Sequence, residues 1–236
     1  MNFAIVSAGE GSRLKEEGIE TPKPLVKLND VPIIERLINI FISNNAESIS
    51  IIVNNLYPEV IDFLQKKKNE LHIPLNIVCE TTPSSLHSFY KLIPYLKQNK
   101  FCLTTVDTIF KENEFKEYIN SFVNDKVYDA YMAVTSFIDD EKPLYIKTNK
   151  ALEILDFLDE NTADCSYISG GIYCFTPKVI EVIEHAYHSG VSRLRNFQRM
   201  LVTEELKLKA YPFSKIVDID HAKDIETARD FINNYE

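Results

Sequence analysis

Short apolar runs alternate along the first 136 positions with segments in which apolar residues recur every three or four positions. The runs are typical of buried strands, and the recurring positions are typical of helices that bury one face. The predicted strands are residues 3–8, 49–53, 75–79, 101–106 and 130–136. The predicted helices are residues 33–41, 57–71, 84–94 and 113–124. This alternation predicts the α/β class: a Rossmann-like, mostly parallel central sheet with helices on both faces.

Proline and serine residues mark where the first of these helices begins and where the third begins and ends. Pro32 precedes the first one, and Ser84 or Ser85 opens the third. Pro94 should end or kink that third helix, because its ring blocks continuation of the hydrogen-bond ladder.

The pattern changes between positions 139 and 176. Residues 144–147 and 152–157 predict a hairpin, and Gly170 and Gly171 precede another short strand that ends at Phe175. We therefore expect residues 139–176 to form a small antiparallel insertion that serves as a lid. Further on, the pattern predicts a helix with Thr176-Pro177 as its cap and first turn, helices at 192–202 and 222–232, and a strand pair at 206–211 and 216–219. With no repeat or linker in the sequence, residues 1–236 are expected to form a single domain.

Composition narrows the range of partners. The 236 residues contain 26 Lys and Arg against 35 Asp and Glu, a formal net charge of −9. Such a balance disfavours nucleic acid as a partner. With no charged leader at the start and no run of about 18 apolar residues, we expect a cytoplasmic protein without a membrane partner. A homo-oligomer is left open.

The densest chemical signal follows the first predicted strand. It is Ala8-Gly9-Glu10-Gly11-Ser12-Arg13-Leu14, followed by Pro22-Lys23-Pro24-Leu25. A glycine-rich turn lets backbone N–H groups approach an anion, and Arg13 and Lys23 can neutralise phosphate oxygens. The P-loop pattern is absent, and the dinucleotide fingerprint would need glycine in place of Leu14. The alternative is a tight turn with incidental charges.

These two segments resemble the sugar-phosphate nucleotidylyltransferase (NTP transferase) family, which has a G-x-G-x-R-L loop and a P-K-P-L element. The resemblance implies that Ala8, Gly9, Gly11, Ser12 and Arg13 bind a nucleoside triphosphate. It also implies that Lys23 contacts phosphate, so that Arg13 and Lys23 are the expected catalytic residues.

Carboxylates at two strand ends suggest a metal site. Asp107 follows a strand near the centre of the sheet, where a carboxylate can hold Mg²⁺ against triphosphate oxygens. Asp218 and Asp220 lie two apart on a late strand and project to one side. The family has an acidic residue here that completes its metal site, and we prefer Asp220 while keeping Asp218 open. Asp220 could instead cap the last helix.

Weaker parts of the resemblance concern the base and the acceptor. Ser84 and Ser85 occupy the place of a base-contacting Gly-Thr loop, but the glycine is missing. Gly171 falls in a segment that resembles the sugar-pocket lining, although the segment could be a simple bend. Arg199 and Lys215 are candidates for the acceptor's phosphate, or else ordinary surface cations.

The resemblance implies attack of an acceptor phosphate oxygen on the α-phosphorus of a nucleoside triphosphate, with release of pyrophosphate and Mg²⁺ as cofactor. The base stays open, and so does the choice between a sugar 1-phosphate and a phosphocholine-like acceptor. One rival is a glycosyltransferase that uses Asp218-Ile219-Asp220 as a D-x-D motif. Another is a catalytically silent nucleotide-binding domain, which the atypical Ser84-Ser85 loop would favour.

Overall fold

The apolar runs of the sequence form the strands at the centre of the molecule. A computed structural model describes residues 1–138, 141–162 and 165–234. The strands are β1 Asn2–Ser7, β2 Lys27–Leu28, β3 Val31–Pro32, β4 Ser48–Val53, β5 Leu75–Cys79, β6 Phe101–Thr105, β7 Thr108–Phe110, β8 Ala130–Thr135, β9 Tyr145–Thr148, β10 Ile154–Leu158, β11 Tyr167–Phe175, β12 Leu208–Phe213 and β13 Ile216–Asp218. The helices are α1 Ser12–Glu16, α2 Ile33–Ser43, α3 Pro58–Glu70, α4 Ser85–Leu92, α5 Glu112–Asn124, α6 Val179–His188, α7 Leu194–Thr203 and α8 Ala222–Asn233.

The main sheet has the strand order β5-β4-β1-β6-β11-β8-β12. Its strands run parallel, with the exception of β11, which is antiparallel to both β6 and β8. The β9–β10 hairpin joins the sheet through β9, which pairs with the first two residues of β11. The predicted α/β class, with its mostly parallel sheet and small antiparallel part, is confirmed.

Alternation of side chains along β1 explains why helices cover both faces of the sheet. Phe3 and Ile5 point into the cluster that packs under α2, α3 and α5, whereas Ala4 and Val6 point into the cluster under α4, α6 and α7. On the first face, Phe3 stacks on Phe41 of α2 with ring centroids 4.5 Å apart. All of these side chains are buried, so the sheet and its two helix layers form a rigid base for the loops above it.

The helix ends agree with the local signals. Helix α2 begins directly after Pro32, whose ring presets the backbone angle but cannot donate a hydrogen bond. Helix α4 begins at Ser85 and ends at Leu92, and the chain tightens into a 3-10 turn that contains Pro94. The predicted end at this proline is confirmed.

Two details of the second half and one near the start of the chain differ from the predictions. Gly170 and Gly171 do not precede β11 but lie within it, and β11 is an internal strand of the sheet. The two late strands do not pair with each other, because β12 joins β8 and β13 joins the unpredicted β7. Helix α1 was also not predicted. Residues 139, 140, 163 and 164 of the predicted insertion lie outside the described residues, and its role as a lid stays a prediction.

Within the part of the chain that the structure describes, no helix combines the length and the apolar character that crossing a membrane requires.

Candidate active site

A cavity of about 560 Å³ opens at the carboxyl ends of β1, β4, β5 and β6. Parallel strands end at one edge of a sheet, so the loops that follow them share the walls of one crevice. Many of the residues predicted to act together line this cavity: Ala8, Gly9, Gly11, Ser12, Arg13, Lys23, Ser84, Ser85, Asp107 and Asp220. The structure thus brings together residues from both ends of the chain.

The glycine loop curves over this cavity between β1 and α1. Gly11 has φ +62°, and a Cβ there would lie 3.3 Å from the Cβ of Lys23. Both the backbone angle and this close approach therefore favour glycine. A Cβ at Gly9 would meet no atom within 4 Å, so Gly9 is not required by packing against the described residues.

Two cations and two carboxylates meet at the mouth of the cavity. The Nζ of Lys23 donates hydrogen bonds to Oδ2 of Asp107 and, over 2.8 Å, to Oδ1 of Asp220. The Nη1 of Arg13 donates to Oδ2 of Asp220 over 3.0 Å. Lys23 thus bridges the two carboxylates, and Arg13 holds the outer side of Asp220. We call these four residues the carboxylate–lysine centre.

The pairing of β7 with β13 explains how the carboxylates meet. Strand β7 begins directly after Asp107, and its first residue, Thr108, lies opposite Asp218 in the antiparallel register. The N–H of Ile219 donates to the carbonyl oxygen of Asp107 over 3.1 Å. This small two-stranded sheet fixes the segment that carries Asp220 against the end of β6.

The charges in the centre stabilise one another. Burial disfavours a charge on Lys23, but the adjacent Asp107 and Asp220 carboxylates outweigh it and raise the lysine pKa. Burial likewise disfavours ionised Asp107, and the charge and hydrogen bond of Lys23 outweigh it and hold the pKa of Asp107 below its usual value. Lys23 is therefore an ammonium and Asp107 a carboxylate at neutral pH.

The donor set fits a divalent cation. Oxygens of Asp107 and Asp220 converge on a single positive group, the ammonium of Lys23. This ammonium occupies the kind of position that a divalent cation would take. Mg²⁺ is commonly held by one or two carboxylates together with phosphate oxygens and water. Among the described residues, no three or more His, Cys, Asp or Glu side chains are grouped so that they could hold a metal ion. The remaining ligands would therefore come from substrate and solvent. Asp107 and Asp220 are the residues that could hold it.

Asp218 and Asp220 have different surroundings. Asp220 lines the main cavity, whereas Asp218 lines a second, smaller cavity of about 50 Å³ that also touches Arg13 and Asp220. The Asp218 side chain is open to solvent but lies in this concave surface. The walls of this concave surface take water away from the Asp218 carboxylate, and this desolvation, together with the negative charges of Asp107 and Asp220, raises the pKa of Asp218. The alternative role of Asp220 as a helix cap is wrong, since His221 is the N-cap of α8.

Ser84 and Ser85 connect the cavity to the start of α7. The Oγ of Ser84 accepts a hydrogen bond from the N–H of Arg193 over 3.2 Å, and the Oγ of Ser85 accepts one from the N–H of Leu194 over 3.1 Å. Ser84 also lies 2.9 Å from Nδ1 of His87. The two hydroxyls thus hold the wall of the cavity in place, and their role toward a base stays a prediction.

Three residues predicted for the acceptor lie outside the main cavity. Gly171, at φ +72°, packs against the hydroxyls of Thr105 and Thr108 on either side of Asp107. Arg199 pairs with Asp159 over 2.7 Å and donates to the carbonyl of Phe157, so it fastens α7 to the β9–β10 hairpin.

Lys215 lies over the ring of Phe137, with Nζ 4.1 Å from the centroid, and it lines neither cavity. The structure does not bring Arg199 and Lys215 to the carboxylate–lysine centre. Their acceptor roles stay predictions.

Sequence reasoning missed Asn54 and Tyr57, which follow β4. Asn54 lines the cavity and is 1% exposed, and both side chains hold carbonyl groups of the glycine loop. A signal was present, because Asn54 is a polar residue placed directly after an apolar strand at the ligand-binding edge of the sheet.

Comparisons with known proteins bear on this arrangement. The model of a family described as "Nucleotidyl transferase" matches residues 4–234. The chain is 26% identical over 227 residues to the bifunctional protein GlmU of Thermodesulfovibrio yellowstonii, covering 91% of this chain and 48% of that protein. It is 24% identical to the choline-phosphate cytidylyltransferase of Streptococcus pneumoniae, covering 99% of each. The chain thus spans about half the length of the first relative and nearly all of the second.

A solved structure shares the fold. The inositol-1-phosphate CTP transferase from T. maritima superposes with a TM-score of 0.79 at 22% identity, covering 97% of this chain and 95% of that one. At this identity the likeness concerns the fold alone.

Proposed function

Because the chain belongs to the nucleotidyl transferase family, we propose that it joins a nucleoside monophosphate, taken from a nucleoside triphosphate, to a phosphorylated small-molecule acceptor. Pyrophosphate is the second product. The observation that carries this proposal is the carboxylate–lysine centre at the mouth of the cavity, where Lys23 bridges Asp107 and Asp220. Cations and metal-binding carboxylates are needed together wherever two phosphate groups must meet.

The reaction is a displacement at phosphorus. An oxygen of the acceptor's phosphate attacks the α-phosphorus, a new P–O–P bond forms, and the bond to the β-phosphate oxygen breaks with the electron pair leaving on pyrophosphate. No general base is required, because the phosphate nucleophile is already ionised at neutral pH. The protein's task is to hold two anions in line and to offset their repulsion.

The residues of the cavity divide this task. The Gly9–Gly11 loop faces the triphosphate with its backbone N–H groups, and Arg13 and Lys23 neutralise phosphate oxygens. Asp107 and Asp220 would hold Mg²⁺, whose charge offsets that of the triphosphate oxygens. Before a cation binds, Lys23 bonds to both carboxylates and keeps them together.

The second cavity, at about 50 Å³, is the proposed place of one end of the acceptor, whose remainder would lie in the main cavity. It adjoins the main cavity at Arg13 and Asp220 and is lined by Ser169, Gly170 and Asp218. The carboxylate of Asp218 would hydrogen-bond the hydroxyl groups of a sugar or contact the cation of a choline-like group. The full-length similarity to a choline-phosphate cytidylyltransferase makes phosphocholine the first acceptor to test and CTP the first triphosphate.

A direct assay tests the proposal. The protein is mixed with Mg²⁺, one of the common triphosphates, and one of a panel of acceptors that includes phosphocholine, inositol 1-phosphate and several sugar 1-phosphates. We expect pyrophosphate release that requires both substrates, with mixtures lacking the acceptor as controls. No acceptor-dependent release from any pair would contradict the proposal. A separate mixture supplies a nucleotide-sugar in place of the triphosphate. Its consumption without release of pyrophosphate would instead favour a glycosyltransferase.

A further inference from the structure

Two side chains of one neighbouring segment hold the backbone of the glycine loop. The Nδ2 of Asn54 donates to the carbonyl oxygen of Ala8 over 3.1 Å. The hydroxyl of Tyr57 donates to the carbonyl oxygen of Glu10 over 2.5 Å. Two alternate peptide groups of the loop are therefore fixed by residues that follow β4. We call Asn54 and Tyr57 the loop clamp.

The clamp is itself built as a unit. The Oδ1 of Asn54 accepts hydrogen bonds from the N–H of Leu56 over 2.9 Å and from the hydroxyl of Thr81 over 2.7 Å. The N–H of Tyr57 donates to the carbonyl oxygen of Asn54 over 3.3 Å. Asn54 thus shapes the turn that delivers Tyr57, and Thr81 links this turn to the end of β5.

Because the peptide group is planar, these contacts also fix the direction of the loop's N–H groups. In a trans peptide the C=O and the next N–H point in opposite directions. With the carbonyls of Ala8 and Glu10 drawn toward the clamp, the N–H groups of Gly9 and Gly11 are turned away from it. Within the described ranges, neither N–H meets a protein acceptor. Both residues line the cavity, so these donors are available to an anion there.

We propose that Asn54 and Tyr57 are positioning residues that orient the N–H groups of Gly9 and Gly11 toward the phosphates of the bound triphosphate. This inference rests on the proposed function, since it concerns the same cavity. It adds two residues that touch no reacting atom and act through the loop. A loop released from the clamp would sample other peptide orientations and bind the triphosphate more weakly.

The cleaner test is Tyr57→Phe, which removes one hydroxyl and keeps the ring. We expect the KM for the triphosphate, and its Kd measured by calorimetry with Mg²⁺, to rise about three- to tenfold, as for the loss of one hydrogen bond. The KM for the acceptor should change less than about twofold. Asn54→Ala should shift the same constants in the same direction. If Asn54→Ala does not fold, Tyr57→Phe alone tests the inference.

Two controls remove similar groups elsewhere. Tyr128→Phe removes a hydroxyl that donates to Glu153 over 3.2 Å, and Asn76→Ala removes an amide that donates to Ser50 over 3.1 Å. Neither residue lines the cavity, and both variants should keep the wild-type Kd for the triphosphate.

The outcomes separate this inference from the proposed function. If wild type binds triphosphate and Tyr57→Phe binds it equally well, the clamp is overturned, whatever the turnover. If Tyr57→Phe lowers only the unfolding temperature, the contact is merely structural and the inference is wrong. If wild type binds triphosphate without turnover but Tyr57→Phe weakens binding, the clamp stands and the proposed reaction fails. No binding of any triphosphate by wild type would overturn both.

Discussion

Lys23 and Asp220 lie 197 positions apart in the sequence, and the Nζ of the first donates a hydrogen bond to Oδ1 of the second over 2.8 Å. The same ammonium bonds to Asp107, so one positive charge holds together two carboxylates that would otherwise repel each other. The early P-K-P-L element and the last strand are thus joined through side-chain charges. Removing the lysine or supplying a metal should therefore change the stability of the whole centre.

Replacing Lys23 by methionine leaves the partly buried Asp107 without its main partner. For Lys23→Met in EDTA we expect a loss of about 1–3 kcal/mol in the free energy of unfolding, below the cost of breaking a fully buried pair because Asp220 is partly exposed. Excess Mg²⁺ should restore part of this loss, because a cation bound to the folded state stabilises it. Urea denaturation with and without Mg²⁺ measures both effects.

Lys67→Met is the matched control. Lys67 also bonds to two carboxylates, Glu35 at 2.6 Å and Glu70 at 3.0 Å, but these pairs lie away from the cavity on the protein's surface. We expect a loss below about 1 kcal/mol that Mg²⁺ does not alter. Equal losses in the two variants, both insensitive to Mg²⁺, would contradict the account of the centre.

Asp218 and Asp220 should differ in what their loss does to the reaction. Asp220→Asn removes a carboxylate bonded to Lys23, and we expect the Mg²⁺ concentration for half-maximal rate to rise about tenfold or more. Asp218→Asn lies in the second cavity and should raise the KM for the acceptor while leaving the Mg²⁺ requirement unchanged. Steady-state rates over a Mg²⁺ series separate the two. The reverse pattern would make Asp218 the metal ligand.

Gly171 lies where a side chain does not fit. Its Cβ would lie 2.7 Å from Oγ1 of Thr108 and 2.9 Å from Oγ1 of Thr105, at φ +72°. We expect Gly171→Ala to cost about 2–4 kcal/mol, from the left-handed backbone together with overpacking. Because these threonines flank Asp107, turnover should fall as well.

Gly190→Ala separates backbone strain from crowding. Gly190 has nearly the same φ, +73°, but a Cβ there meets nothing within 4 Å. This variant should lose only about 1 kcal/mol and keep its turnover. Thermal unfolding and pyrophosphate release on both variants check the pair, and similar losses in both would show that packing at Gly171 is unimportant.

Asp125 gives the fold a dependence on pH. Burial works against its charge, but hydrogen bonds from the N–H groups of Tyr128 and Val127 prevail and lower the pKa of its carboxyl. A lowered pKa in the folded state adds stability above the ordinary pKa, and this stability is lost as the pH falls through the folded value. We expect Asp125→Asn to be about 1 kcal/mol less stable than wild type at neutral pH. The difference should shrink as the pH falls below the ordinary pKa of an aspartate and should vanish once it is below the lowered pKa of Asp125 in the folded state. A difference that stays constant with pH would contradict this.

Much of the fold is encoded locally and could be predicted. Within the first 136 positions, periodicity located the main-sheet strands β1, β4, β5, β6 and β8 and the helices α2 to α5, because burial of one or both faces of an element leaves a pattern in the sequence. It missed the short elements α1, β2, β3 and β7, which have too few residues to show a period. Strand direction leaves no such trace. The antiparallel course of β11 and the separate partners of β12 and β13 are set by contacts between distant segments, so the predicted strand pair was wrong.

The site shows the same division. Arg13, Lys23, Asp107 and Asp220 carry charge at the ends of strands or in a compact motif, and the sequence was enough to group them. Tyr57 carries no motif, and only the folded chain shows that its hydroxyl meets the carbonyl of Glu10. Conversely, Arg199 was singled out by its place on the helix before the late strands, where some members of the family carry a phosphate-binding arginine. Its partners Asp159 and Phe157 became visible only in the fold.

Transfer of the α-phosphorus from the triphosphate to the acceptor should depend on the carboxylate–lysine centre. Phosphorus-31 NMR tests it most directly, in a mixture of Mg²⁺, the triphosphate and the acceptor selected by pyrophosphate release, with wild type and Asp107→Asn in parallel. For wild type we expect the α-phosphorus to enter a new P–O–P bond with the acceptor while pyrophosphate appears in equal amount. Asp107→Asn should be slower by about 10²-fold or more with an unchanged fold by circular dichroism. A wild-type rate in Asp107→Asn would contradict the account.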